Sequence, residues 1–258
     1  MARRIALTLA FVTTVLAAPD AGAQVNAEAL RTTLKANPRF LWLEGALVGH
    51  AGNTSTLTFS GSVFGGIVYG HNVIFVKASA DYGQAMSTTN VARWNTHARY
   101  NYNLTEDFAF EGFVQVQHDR FRRIEVRDLY GLGVRYSFYR DKDNDVFAGT
   151  TYMLEHETID SLADGTGAEK NVWNRNSTYF GINAKITALL DASSVTYIQP
   201  RLDRPSDFRV MSESWMSAQI TKRLAVKVTG TFWYDNDPPL GVKQYDLEIK
   251  NSLALKLD

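Results

Sequence analysis

Glu155 and Glu157 stand two residues apart, so on an extended strand both carboxylates fall on one face. Such a pair can divide general-acid and general-base work in hydrolysis of a peptide or lipid. It can equally do no chemistry and neutralise nearby Lys or Arg. A serine nucleophile needs an adjacent base. No His-x-Ser pair supplies one: two places after His50, His71, His97, His118 and His156 come Gly52, Val73, Arg99, Arg120 and Thr158. The run Asp141-Lys142-Asp143-Asn144-Asp145 opens like a calcium loop. Val146 replaces the glycine that the sharp turn requires, and no glutamate stands twelfth, so a hairpin turn is expected instead. The histidines lack zinc spacing, and cysteine is absent, which removes thiolate metal sites and thiol nucleophiles. No catalytic residue, metal site or cofactor is therefore assigned.

One basic loop carries a binding chemistry. Arg120, Arg122 and Arg123, with Arg127 beyond them, surround Phe121 and Ile124. Guanidinium groups pair bidentately with phosphate, so an outward-facing loop of this kind could contact lipopolysaccharide. Glu125 and Asp128 argue equally for a solvated, partly neutralised loop.

Composition bounds the rest. The 258 residues are 45% hydrophobic and 21% charged, enough apolar material for a folded domain. Lys plus Arg (27) equals Asp plus Glu (27), so no basic excess attracts nucleic acid. Beyond the first 24 residues no apolar run approaches the ~18 that a spanning helix needs.

Residues 1–23 read as a secretory signal peptide. Arg3 and Arg4 precede the uncharged core Ile5–Ala17, and Ala21-Gly22-Ala23 has cleavage-site spacing. Its removal leaves 25 basic and 26 acidic side chains. Residues 24–39 form a periplasmic segment. Ala27, Leu30 and Leu34 give it a short helix that Pro38 stops, either a loose leader or a plug.

From residue 40 to 258 the period is two. Phe108, Phe110, Val114 and Val116 share one face, opposed by Glu111, Gln115, Gln117 and Asp119. Tyr130, Leu132, Val134, Tyr136 and Phe138 oppose Arg127, Gly131, Gly133, Arg135 and Ser137. Twelve such segments are expected: 40–50, 54–68, 72–84, 92–103, 107–119, 127–139, 145–157, 175–187, 192–200, 208–219, 223–235 and 243–257. From the second strand on, short polar turns alternate with mostly longer loops at 85–91, 120–126, 158–174, 201–207 and 236–242. This asymmetry belongs to up-and-down transmembrane barrels.

Twelve strands enclose an interior too wide for side chains alone, since about eight just fill. Apolar faces are therefore expected to face lipid, and polar faces a lumen. The expected lumen charges are Lys77, Asp81, Arg93, Arg99, Glu111, Arg135, Glu155, Lys185, Glu213, Lys227, Asp246, Glu248 and Lys250. Arg93, Arg99, Glu111, Arg135 and Lys185 are the leading lumen-lining candidates. The fold class is all-β: a twelve-stranded antiparallel up-and-down transmembrane β-barrel with a short N-terminal helix.

With the strands placed, Gly52-Asn53-Thr54-Ser55-Thr56 resembles a Gly-Asn-Thr signature. The stretch from His118-Asp119-Arg120-Phe121 through Arg127 to Gly131-Leu132-Gly133-Val134-Arg135-Tyr136 is similar to the most recognisable part of the same family. That family is the domain of unknown function 481, typified by YdiY-like salt-induced outer-membrane proteins. The resemblance implies a barrel in the outer membrane of a Gram-negative cell, with no active site to carry over. Its partners would be outer-membrane lipid, lipopolysaccharide and the assembly machinery. Proteins of that membrane typically end on an aromatic residue; this chain ends Leu253-Ala254-Leu255-Lys256-Leu257-Asp258.

Three functional readings stand at this point. The first is a non-enzymatic envelope protein, structural or a narrow pore with a charged lumen. The second is an outer-membrane barrel enzyme acting on lipid or peptide at the outer rim, with Glu155 and Glu157. The third is a surface binder that uses the arginine loop. Oligomeric state carries no expectation.

Overall fold

The structure is a computed structural model that describes residues 39–50, 56–86, 88–162 and 165–257. The signal peptide, the helix expected before Pro38 and the Gly52-Asn53-Thr54 turn lie outside the described residues. Twelve strands follow one another: β1 (Arg39–His50), β2 (Thr56–Tyr69), β3 (Asn72–Ala85), β4 (Thr88–Asn103), β5 (Phe108–Asp119), β6 (Ile124–Arg140), β7 (Asn144–Ile159), β8 (Glu169–Thr187), β9 (Leu190–Pro200), β10 (Phe208–Gln219), β11 (Leu224–Asp235) and β12 (Tyr245–Leu257). Each pairs antiparallel with its sequence neighbours, and β1 closes the ring on β12.

Alternation puts the apolar side chains outside. Leu132 is 73% exposed, and Leu57, Phe59, Ile249 and Leu253 join it around the wall. Exposed Tyr100, Tyr102, Phe138 and Tyr139 sit toward the short turns, whereas Tyr82, Trp94, Tyr130 and Tyr152 sit toward the other end. These are the two aromatic girdles of a transmembrane barrel. Reversing the faces would place Arg99 and Arg135 in hydrocarbon at ~2–4 kcal/mol each near mid-bilayer.

Three of the short turns share one device, a leading hydroxyl or carboxylate that accepts the next backbone N–H groups. Thr105 Oγ1 accepts from Asp107 and Phe108, and Thr221 Oγ1 from Arg223 and Leu224. Asp141 Oδ1 accepts from Asp143 and Asn144, both at 2.7 Å. The calcium-like run is thus a turn whose first carboxylate is spent on the backbone.

Some of the opposite connections are tighter than expected, whereas 201–207 is as expected and 236–242 lengthens to 236–244. The loop expected at 85–91 shrinks to residues 86–87 because β4 begins at Thr88. The loop expected at 158–174 shrinks to 160–168 because β7 and β8 pair out to Ile159↔Glu169. The ladder there extends through polar residues, Thr158 opposite Lys170, where no apolar alternation marks a strand.

The ring closure is short. Among the described residues the β1–β12 ladder runs from Leu41↔Leu257 to Gly45↔Leu253, five pairs. β1 continues to His50 paired with β2, and β12 begins at Tyr245 paired with β11.

The interior is less open than an interior too wide for side chains alone would be, because large inward side chains fill much of it. Phe147, Tyr179, Val195, Tyr197, Met211 and Trp233 form one cluster, and Phe113, Leu129 and Met153 another. Inward glycines make room for the rings. A Cβ on Gly149 would lie 2.3 Å from Tyr179, and one on Gly131 would lie 2.0 Å from Phe113.

Candidate functional site

The lumen divides into a packed side and an open side. On the packed side Glu111 of β5 receives Arg99 at 3.4 Å, Asn101 at 3.3 Å and the Tyr179 hydroxyl at 2.8 Å. Arg99, 2% exposed, also lies over the Phe113 and Tyr179 rings. Toward the short turns Arg135 pairs with Asp145 at 3.0 Å and covers Phe147 at 4.1 Å. The side chains there pack against one another and pair their charges.

Glu155 and Glu157 do share an inward face near the long-loop end, but three arginines surround them. Glu155, 0% exposed, meets Arg209 at 2.6 Å, Arg175 at 3.2 Å and Arg127 at 3.7 Å. Glu157 binds Arg127 and Arg209. Each carboxylate is thus tied to arginines of neighbouring strands, the structural role that the sequence also offered for the pair. Arg209 continues to Asp235 at 2.7 Å. Arg175 and Arg201 both reach Asp207, at 3.2 and 3.0 Å, which fastens the 201–207 loop to the wall.

The arginine loop also turns inward. Arg120–Arg122 form one 3₁₀ turn capped by the Asp119 carboxylate, and Arg123 adopts a left-handed φ of 60°. That sharp turn carries the Arg123 guanidinium over the mouth. It donates to the carbonyls of Leu240 and Gly167, each at 2.6 Å, and to that of Asp160. Arg122 is buried beside Asp246 at 3.7 Å and faces the Trp233 ring at 5.9 Å. Of the three residues expected to contact lipopolysaccharide, Arg120 alone is exposed. Arg123 holds loops and Arg122 lies against β11 and β12, which adjacency in sequence does not reveal.

The more open side runs along β1–β4 and β10–β12, although Phe40, Phe64, Val73 and Phe75 form a buried cluster on β1–β3. A cavity of about 100 Å³ is walled by Glu44, Lys77, Asp81, Arg93, Glu213, Lys227, Glu248 and Lys250, with Phe64 and Trp233. Arg93 bridges Asp81 at 2.7 Å and Glu248 at 2.5 Å; Lys250 bridges the same two carboxylates at 2.9 and 3.2 Å. Below it Lys227 binds Glu44 at 3.0 Å and lies over Phe64 and Trp215, at 5.7 and 5.4 Å from the ring centroids. These residues form a constriction. Beyond it, at the short-turn end, a second cavity of about 440 Å³ is lined by Trp42, Trp215, Lys142, Lys185, Lys222, Arg223, Lys256, Asp143 and Asp191, among others. Five cationic side chains against two carboxylates make this vestibule positive. Lys185 is exposed within it, while Arg93 stands at the inner cavity and Arg99, Glu111 and Arg135 belong to the packed side. Glu44, Phe64, Trp215 and Trp233 are lining residues that the alternation did not single out. Glu44 has one visible signal, a lone charge between Leu43 and Gly45 in the otherwise apolar stretch from Phe40 to Val48.

Among the described residues no group of three or more His, Asp or Glu side chains could hold a metal ion.

A closed, inside-out ring with a charged interior defines the transmembrane β-barrel class. The profile of the family described as "Protein of unknown function, DUF481" matches residues 44–256, and the chain belongs to that family. No curated protein matches the sequence. Among solved structures the barrel is similar to the NanC porin, at 9% identity and a TM-score of 0.51, over 84% of this chain and 100% of that one. It also aligns with the KdgM porin, at 8% identity and TM-score 0.45, over 85% of this chain and 99% of that one. The translocator domain of the autotransporter NalP from Neisseria meningitidis gives 9% identity and TM-score 0.44, over 90% of this chain and 92% of that one.

Proposed function

We propose that the protein is an exported outer-membrane barrel whose lumen is a narrow passage for small polar solutes. The observation that carries this reading is the chain of two cavities on one side of the lumen, separated by the Glu44–Lys227 pair with Phe64 and Trp215. A purely structural barrel has no need of a charged hollow beside a packed half. The passage is narrow at two levels, at that constriction and at the mouth, where Arg122 lies beside Asp246 and the Trp233 ring. The apolar belt and the aromatic girdles support insertion in the outer membrane. Residues 1–23 would serve export and be cleaved after Ala23, which N-terminal sequencing of the membrane form checks.

Planar-bilayer recording of the refolded barrel tests the passage. Small, discrete conductance steps are expected, with anions favoured because the vestibule is positive. A bilayer that stays sealed after verified insertion removes the passage.

A further inference from the structure

Most charged groups around the inner cavity find partners within the wall. Glu44 is taken by Lys227 and by Ser252, whose hydroxyl donates at 2.6 Å. Asp81 and Glu248 share Arg93 and Lys250. Three cations thus balance three carboxylates. Two lining charges are left over, Lys77 on β3 and Glu213 on β10, and no hydrogen bond or ion pair within the described residues engages either. Lys77 rests instead over the Phe64 ring, 4.9 Å from its centroid. The two strands are five ladders apart around the ring (β3–β2–β1–β12–β11–β10), so the charges face each other across the hollow, and Glu213 is the carboxylate acting most strongly on Lys77. Asn95 Oδ1, Thr229 Oγ1 and Trp233 Nε1, buried in the same wall, also have no hydrogen-bond partner among the described residues.

We propose that this cavity is a binding site for a compact zwitterion, a molecule of the amino-carboxylate class. Its carboxylate pairs with Lys77 and its ammonium with Glu213. Thr229 and Trp233 offer donors and Asn95 an acceptor at the sides. A simple anion would neutralise Lys77 and leave Glu213 facing it, and a simple cation the reverse; a zwitterion satisfies both and keeps the cavity neutral. Volume sets the size, since about 100 Å³ admits a few non-hydrogen atoms and excludes an oligomer. The zwitterion is thereby a solute of the passage proposed above, and its route inward rests on that passage.

The full refolded barrel in detergent is titrated with glycine, β-alanine and 4-aminobutyrate by calorimetry. Acetate and ethylammonium serve as single-charge controls. At least one amino-carboxylate should bind, with the preferred chain length reporting the Lys77–Glu213 separation, and both controls should fail. Lys77→Met and Glu213→Gln should each weaken binding at least tenfold. Should either variant fail to fold, as judged by gel mobility of the unheated barrel, the exchange pair Lys77→Glu/Glu213→Lys preserves neutrality and should retain binding. Thr229→Val, a near-isosteric change, should weaken it several-fold. Absence of binding by all three amino-carboxylates overturns the site, as does binding that neither charge substitution alters. Conductance without such binding would overturn this site and leave the passage; binding without conductance would do the opposite.

Discussion

The Tyr179 hydroxyl on β8 donates to the Glu111 carboxylate on β5 at 2.8 Å, reaching past the two strands that lie between them in the wall. The barrel is therefore cross-braced through its interior as well as laddered around its circumference. Tyr179→Phe keeps the ring and removes the donor from a buried carboxylate, so a loss of ~1–3 kcal/mol is expected. Urea unfolding followed by tryptophan fluorescence measures it. A midpoint equal to that of the parent protein would show the brace to be without weight.

Glu155 anchors Arg127, Arg175 and Arg209. Glu155→Gln retains the shape and leaves buried cations without their counter-charge, so ~3–5 kcal/mol should be lost. Failure of the variant to refold would agree with this. A variant as stable as the parent would show that the arginines find other acceptors.

The extent to which sequence pointed to all this is uneven, for physical reasons. Alternation located all twelve strands, since a wall between lipid and lumen imposes period two on every crossing. It also assigned faces correctly at Phe110 and Glu111, where lipid and lumen demand opposite chemistry. It did not reveal the packed half. Phe113 lies on the inward series Glu111, Phe113, Gln115, and its ring fits only because Gly131 stands opposite on β6. That contact depends on cross-strand register, which period alone does not encode. Arg123 was misleading for a related reason. A cluster of arginines beside a turn suggests a solvated patch, whereas one left-handed residue folds it over the mouth.

Arg123 ties the 160–168 and 236–244 loops together through backbone carbonyls. Arg123→Ala should release both. Trypsin cleavage at Lys243 of the folded barrel is expected to accelerate by an order of magnitude or more, read by mass spectrometry of timed digests. An unchanged cleavage rate would mean the clamp is redundant.

The constriction yields a transport prediction. Trp215→Ala removes the ring on which Lys227 lies, and Lys227→Ala frees Glu44. Combined, they should raise single-channel conductance several-fold and reduce anion preference. If conductance stays at the parent value, the narrowest point lies elsewhere.

At the short-turn end, Asp141 governs an acid response. The Tyr139 hydroxyl, the Asp143 and Asn144 N–H groups and the Asn144 side chain hold its carboxylate well below the usual range. A depressed carboxylate adds stability that is present above its unfolded value near 4 and is lost as pH falls through the lower folded one. The stability difference between the parent and Asp141→Asn should therefore be constant above about pH 5 and shrink below about pH 4. Unfolding midpoints across that range check this.

Ring closure joins the two ends of the barrel region, bringing Leu41 beside Leu257 through five residue pairs among the described residues. The entropic cost of such a contact grows with the length of chain enclosed, and here that length is nearly the whole barrel. The last stitch in this hoop is thus its slowest and slightest. A half-built sheet must keep two bare borders out of hydrocarbon until that stitch is made. Covering the β1 and β12 borders until they meet is therefore the requirement that closure sets on insertion.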